Sequence, residues 1–138
     1  DVLLNLFSSF GYFQAEAENA AALRSMVACL RPGGRLVMDH ANRRYVESTL
    51  APHSREQRED ITIEHRRRIE NDRVVKHTEV TRPTGQRQYV ESLRLYYPDE
   101  LAGMFEAAGL GEPTFFGSTA GEPLTDESKR MIAIASKR

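Results

Sequence analysis

The chain opens on a nearly continuous apolar run, Val2 to Phe7, and a shorter one, Leu36 to Met38, follows a stretch with helical spacing. Strands covered on both faces by crossover helices lose the alternation of polar and apolar positions, and both runs have this character. Between them, Asn19, Leu23, Met26, Val27 and Leu30 fall on one helical stripe. Glu16 and Glu18 suit the positive end of that helix, and Pro32 forces Arg31 out of helical backbone, which ends it. Gly33 and Gly34 supply the reversal into a second strand, Arg35 to Asp39 or His40. Strand, helix and strand predict one βαβ unit.

From Arg43 to Glu59 the pattern weakens. Tyr45, Val46, Thr49 and Leu50 predict a short helix, and Pro52 with the charged run Ser54 to Asp60 predicts a loop. The period then becomes two: Ile61, Ile63, His65, Arg67 and Ile69 alternate with Thr62, Glu64, Arg66 and Arg68. Asn71-Asp72 offers a hairpin turn into Val74 to Arg82, and Pro83-Thr84-Gly85 turns into a third strand, Tyr89 to Tyr97. A three-stranded antiparallel meander is expected over residues 60–97. Pro98, Asp99 and Glu100 then open an amphipathic helix with Leu101, Met104, Phe105 and Ala108 on one stripe and Gly109 as its cap. Pro113 to Gly117 and Arg130 to Ala135 read as closing strands, the second apolar enough to lie between others rather than at an edge.

Length and composition add bounds. With 138 residues, 40% hydrophobic and 28% charged, the chain suits one domain over 1–138 with the meander as an insertion. A formal net charge of -1 gives no field to draw nucleic acid or an anionic membrane, so neither is expected as a partner. One cysteine, Cys29, excludes an internal disulfide, and no segment is apolar over the length of a membrane span or built like a signal peptide; a cytoplasmic setting is expected. A buried-type strand beginning at residue 1, with no polar lead-in, reads as a cut.

Candidate chemistry gathers where the two opening strands end, the edge at which open α/β sheets bind ligands. Ser8, Ser9 and Gly11 break the first run, and Phe10, Tyr12 and Phe13 either line a pocket there or fill the core. Asp39, His40 and Asn42 end at the same edge. His40 is the candidate catalytic base, against the plainer reading of a histidine that hydrogen-bonds a neighbouring loop. Cys29 reads as a small packed residue. The run Arg66-Arg67-Arg68, set among acids, reads as a solvated sheet face, and His65 with His77 lacks a third ligand, so no metal is assigned.

Three stretches, Asp1-Val-Leu-Leu-Asn-Leu-Phe-Ser-Ser-Phe-Gly-Tyr-Phe13, Leu30-Arg-Pro-Gly-Gly-Arg-Leu-Val-Met-Asp39 and Tyr96-Tyr-Pro-Asp-Glu-Leu101 with Ala107-Ala-Gly-Leu110, resemble the carboxyl-terminal half of a class I S-adenosylmethionine-dependent methyltransferase. The resemblance implies an α/β fold, a partial doubly wound Rossmann-like sheet with the three-stranded antiparallel insertion above its substrate pocket. It implies S-adenosylmethionine as cofactor, bordered by Leu6, Phe7 and Ser8, and a small-molecule methyl acceptor bordered by Phe10, Tyr12 and His40. The family's glycine-rich turn and ribose-holding acid belong to its amino-terminal half and do not occur here. The expectation is therefore a fragment or truncated relative, inactive as the isolated chain and not binding the cofactor alone. The alternative is a non-catalytic half-domain that dimerises or binds a ligand. Right-handed crossovers put the helices Ala15 to Leu30 and Pro98 to Ala108 on one face of the sheet. The other face and the edge at Val2 to Phe7 are then bare, which predicts a homodimer or larger assembly.

Overall fold

A computed structural model describes all of residues 1–138. Eight strands form two four-stranded sheets. In the first, β1 (Val2–Asn5) pairs in parallel with β2 (Arg35–Ala41) through α1 (Glu16–Ala28), as the two apolar runs predict. The last strand, β8 (Arg130–Ser136), lies antiparallel between β2 and the short β7 (Thr114–Phe116), giving the order β1-β2-β8-β7. Its continuous apolar character reflects that inner position.

Register decides which side chains meet the helices. Leu36 and Met38 of β2 stand beside Ala135 and Ala133 of β8, and with Met131 they face Leu23 and Val27 of α1 and Leu101 and Phe105 of α3 (Pro98–Ala107) in one core cluster. Each fully buried side chain of this size contributes about 1.5–3 kcal/mol relative to exposure. The α3 signal holds in detail: Pro98 takes the first position, the Tyr97 amide donates to Glu100 Oε2 at 2.7 Å, and Gly109 turns left-handed after the last turn. The alternate positions, Val2 and Leu4 with Val37 and Ile134, form the opposite face, where no helix lies and Val2 and Leu4 are 59% exposed.

Beyond β2, α2 (Arg43–Thr49) leads into the second sheet, β3 (His53–Arg58), β4 (Ile61–Glu70), β5 (Arg73–Arg82) and β6 (Gly85–Arg94), all antiparallel in sequence order. Asn71 and Asp72 turn the β4–β5 hairpin with φ of 50° and 62°, the left-handed pair of a two-residue turn. The expected loop Ser54 to Asp60 is instead mostly a fourth strand, so the meander has four strands rather than three. An edge strand exposed on both faces has no apolar alternation to display, and its pairing rests on backbone hydrogen bonds. The third predicted strand is also displaced toward the amino terminus: Pro83-Thr84 alone makes the turn, and Leu95 and Tyr96 leave the sheet, both buried and Tyr96 within the main core. Similarly, β1 stops at Asn5 rather than Phe7, because Phe7 and Ser8 adopt left-handed backbone. No helix is long and apolar enough to cross a membrane.

Candidate functional site

The site is built from the link between β1 and α1 and from the end of β2. At Phe7 and Ser8 the chain turns sharply with φ of 58° and 55°. Asp39 holds this turn from the neighbouring strand: the Phe7 amide donates to Asp39 Oδ2 at 3.1 Å, and the Ser8 amide donates to the Asp39 carbonyl at 2.9 Å. Arg130, the first residue of β8, completes the group, donating from Nε to Asp39 Oδ1 at 2.6 Å and from Nη2 to Ser8 Oγ at 3.3 Å. Both oxygens of the Asp39 carboxylate are thereby engaged.

Beside this cluster the uncovered sheet face forms a hollow of about 380 Å³, floored by Val37, Ile132 and Ile134 and walled by Leu6, Phe7 and Phe116. Its size lies at the lower end of the range for small-molecule sites. Leu6 and Phe7 therefore border a cavity, and Ser8, almost buried, lies behind it as part of the clamp.

The rest of the link is fixed from several sides. His40 is fully buried, with Nε2 3.1 Å from the Phe10 carbonyl and Nδ1 3.0 Å from the Ala41 carbonyl. A neutral imidazole has one N–H, so only one of these carbonyls receives a hydrogen bond at a time. Burial pushes the His40 pKa below its ordinary value, outweighing the carbonyls, which favour the proton. Arg73, nearly buried, donates to the carbonyls of Gly11 at 3.2 Å, Tyr12 at 3.4 Å and Phe13 at 3.0 Å, and also to Ser92 Oγ and the Ser92 carbonyl. The Arg94 amide donates to the Gly11 carbonyl at 2.9 Å, which seams the link to the edge of β6. Gly11 itself has a φ of 100°, and a Cβ there would lie 3.0 Å from the Arg94 carbonyl oxygen.

This geometry corrects the expected acceptor pocket. Phe10 belongs to the core, with its ring centroid 5.7 Å from that of Tyr96, and His40 meets Tyr96 edge-on at 5.8 Å. Tyr12 is half exposed instead, so Phe10, Tyr12 and His40 do not face one open cleft. The physical reason is that the apolar Phe10 ring gains more from the core than from a wet edge, and His40 then seals the link above it. As placed, His40 is sealed from solvent and hydrogen-bonds the loop, the plainer of its two readings. Asn42 does not reach the cleft either: its Nδ2 donates to the carbonyls of Thr125 and Ser128 and ties down the β7–β8 connection.

Other expectations fall on both sides. Cys29 is exposed rather than packed, because it follows the last turn of α1 and its thiol only meets the Ser25 carbonyl. His65 pairs with Thr78 and His77 with Arg68 on opposite faces of the sheet, and no cluster of three metal-ligating residues forms. Arg68 pairs with Glu70 at 2.8 Å on a solvated face, as its acidic neighbours predict. Arg73 and Arg130 are the functional candidates that sequence reading missed. Arg130 precedes an apolar strand and Arg73 follows a turn, and in neither place does the local pattern reveal a partner distant in the chain.

Tested against S-adenosylmethionine, the chain's own groups supply one apolar wall and little else. The amides of Phe7 and Ser8 are consumed by Asp39, both Asp39 oxygens are taken, and no glycine-rich turn follows β1. These residues do not fit the cofactor's ribose hydroxyls.

No family model and no curated protein matches the sequence. Solved structures do match the fold. The CcbJ methyltransferase from Streptomyces caelestis superposes with a TM-score of 0.81 at 19% identity, over 99% of this chain and 60% of its own. An S-adenosylmethionine-dependent methyltransferase from Clostridium acetobutylicum gives 0.83 at 10% identity, over 99% and 58%. A sugar N-methyltransferase from a Streptoalloteichus species gives 0.66 at 26% identity, over 99% and 56%. The chain thus spans somewhat more than half the length of each of these structures.

Proposed function

From the premise that the chain carries part of the fold of the class I S-adenosylmethionine-dependent methyltransferases, we propose that it forms the acceptor-side portion of a small-molecule methyltransferase. The single observation that carries the reading is the clamped link Phe7 to Phe13, standing at the carboxyl ends of β1 and β2 beside an apolar hollow, in a chain that aligns over almost its whole length with such enzymes. In this reading Leu6 and Phe7 border the cofactor, Ser8 backs them, and the half-exposed Tyr12 faces the acceptor. His40 acts through the Phe10 carbonyl, fixing the link and keeping water from it. The chain by itself is inactive in this reading, since its own groups at the site do not fit the ribose hydroxyls. Amine-bearing sugars are the first acceptors to test, because one matching structure is a sugar N-methyltransferase and another an amino pentose methyltransferase.

The experiment compares the chain with the product of its complete reading frame, each incubated with methyl-labelled S-adenosylmethionine and a panel of amino sugars. Label transfer by the full product and none by the chain is expected. Calorimetric titration of the chain with S-adenosylmethionine should show no tight site. Micromolar binding would overturn that half of the reading, and a full product without transfer to any small acceptor would overturn the other.

The uncovered face favours the second reading, a half-domain that self-associates. Val2 and Leu4 of the edge strand β1, and Leu6 and Phe7 just beyond it, are exposed, and the outer backbone groups of β1 have no partner strand. A homodimer through this face or edge is the expected form of the isolated chain.

A further inference from the structure

Phe7 and Ser8 are an outlier pair. Neither is glycine, asparagine or aspartate, yet both hold left-handed backbone, where Cβ crowds the following carbonyl. Strain of this kind persists only where the surroundings impose it, and it concentrates at ligand clamps. Here Asp39 imposes it, receiving the Phe7 amide on its carboxylate and the Ser8 amide on its carbonyl. Arg130 fixes Asp39 in turn and reaches past it to the Ser8 hydroxyl.

The clamp determines where the Phe7 ring goes. The ring is 84% exposed and stands at the mouth of the hollow floored by Val37, Ile132 and Ile134. Extended backbone at Phe7 would continue β1 and carry the ring away from this position. A large aromatic held in water at a conformational cost, beside an apolar hollow, gains nothing for the fold. Its open π-face suits a flat or cation-bearing group.

We propose that Asp39 and Arg130 are positioning residues: together they lock the Phe7–Ser8 turn and fix the Phe7 ring at the mouth of the cavity as a contact face for a planar or cationic group. Only the identity of that group rests on the methyltransferase reading; the locking rests on the hydrogen bonds alone.

The chain contains no tryptophan, so Phe7→Trp introduces a single reporter at an exposed position. Fluorescence anisotropy of the indole at position 7 should be high in that background and fall on Asp39→Ala or Arg130→Met, with far-UV circular dichroism unchanged. Asp39→Asn keeps an acceptor for the Phe7 amide but loses the negative charge that pairs with Arg130, so it should retain part of the anisotropy that Asp39→Ala loses. Should Asp39→Ala fail to fold, Arg130→Met makes the same test with the carboxylate in place. Anisotropy that stays at the parent value in folded Arg130→Met or Asp39→Ala overturns the proposal. S-adenosylhomocysteine, added to the full-length product, serves as the probe for the contact. Quenching that is lost with the anisotropy supports both readings. A fall in anisotropy with no quenching in any variant leaves the clamp standing and counts against the methyltransferase.

Discussion

Arg73→Met removes the group that ties the link to the second sheet. The arginine makes five hydrogen bonds, to the carbonyls of Gly11, Tyr12, Phe13 and Ser92 and to Ser92 Oγ, and no carboxylate accompanies it. Two opposing effects must be weighed. A hydrogen bond from a charged donor is worth about 1.5–3 kcal/mol, but these share one guanidinium and do not add. Against the loss, removing a nearly buried charge that lacks a counter-ion recovers desolvation free energy of several kcal/mol. The carbonyls left behind decide the balance. Gly11 keeps the Arg94 amide and Phe13 keeps Asn19 Nδ2, while Tyr12 and Phe13 are exposed enough for water to reach them. A net loss of about 2 kcal/mol follows, well below the sum of five bonds. In a urea titration this shifts the midpoint down by about 1 M for a chain of this size. Arg73→Lys should lose nearly as much, since an ammonium cannot span carbonyls on two sides. Hydrogen exchange should quicken along residues 9–14 while β8 stays protected. A parent-like midpoint with parent-like exchange in the link would refute the claim that Arg73 holds it.

Further outcomes follow from the same contacts. Gly11→Ala forces a Cβ against the Arg94 carbonyl at a φ that L residues rarely adopt, and should cost about 2 kcal/mol, read as a lowered denaturation midpoint. The folded-state pKa of His40 is depressed, so the unfolded chain binds more protons at mildly acidic pH. The stability this buried histidine contributes is complete above its ordinary value near 6.5 and is lost as pH falls below it, and His40→Gln should flatten that slope in urea titrations between pH 7 and 5. Light scattering after size exclusion should give at least a dimer mass for the isolated chain. A monomer at tens of micromolar that binds no apolar dye would refute the reading of the uncovered face.

How much of this was legible in the sequence depends on the range of the interaction. The helices α1 and α3, β2, β8 and the β4–β5 hairpin announce themselves through local signals: a stripe at Leu101 and Phe105, a proline at a first helical position, a left-handed pair at Asn71 and Asp72. The strand β3 was invisible because an edge strand with both faces in water selects for charge, and its residues look like a loop. At the candidate site, the structure places Leu6, Phe7 and Asp39 beside the hollow at the edge of the sheet that the sequence singles out. The acceptor pocket expected of Phe10, Tyr12 and His40 does not form, since a ring following a turn can enter the core or leave it, and local spacing does not distinguish the two. The partners that complete the site, Arg73 for the link and Arg130 for Asp39, lie 60 and 91 residues away. Periodicity carries no information at such separations.

The placement of β8 also sets an order of events during synthesis. β2 and β8 are paired across about a hundred residues, and β7 has no neighbour other than β8, so long-range contact dominates closure of this sheet. While the chain emerges, the βαβ unit of β1, α1 and β2 and the meander can form, but the sheet lacks its middle until Arg130–Ser136 are free of the ribosome. Until then Leu36 and Met38 have half their cover, and β7 has nothing to pair with. The apolar middle of this sheet thus stays open until β8 arrives, and a chain ending before Arg130 would never close it.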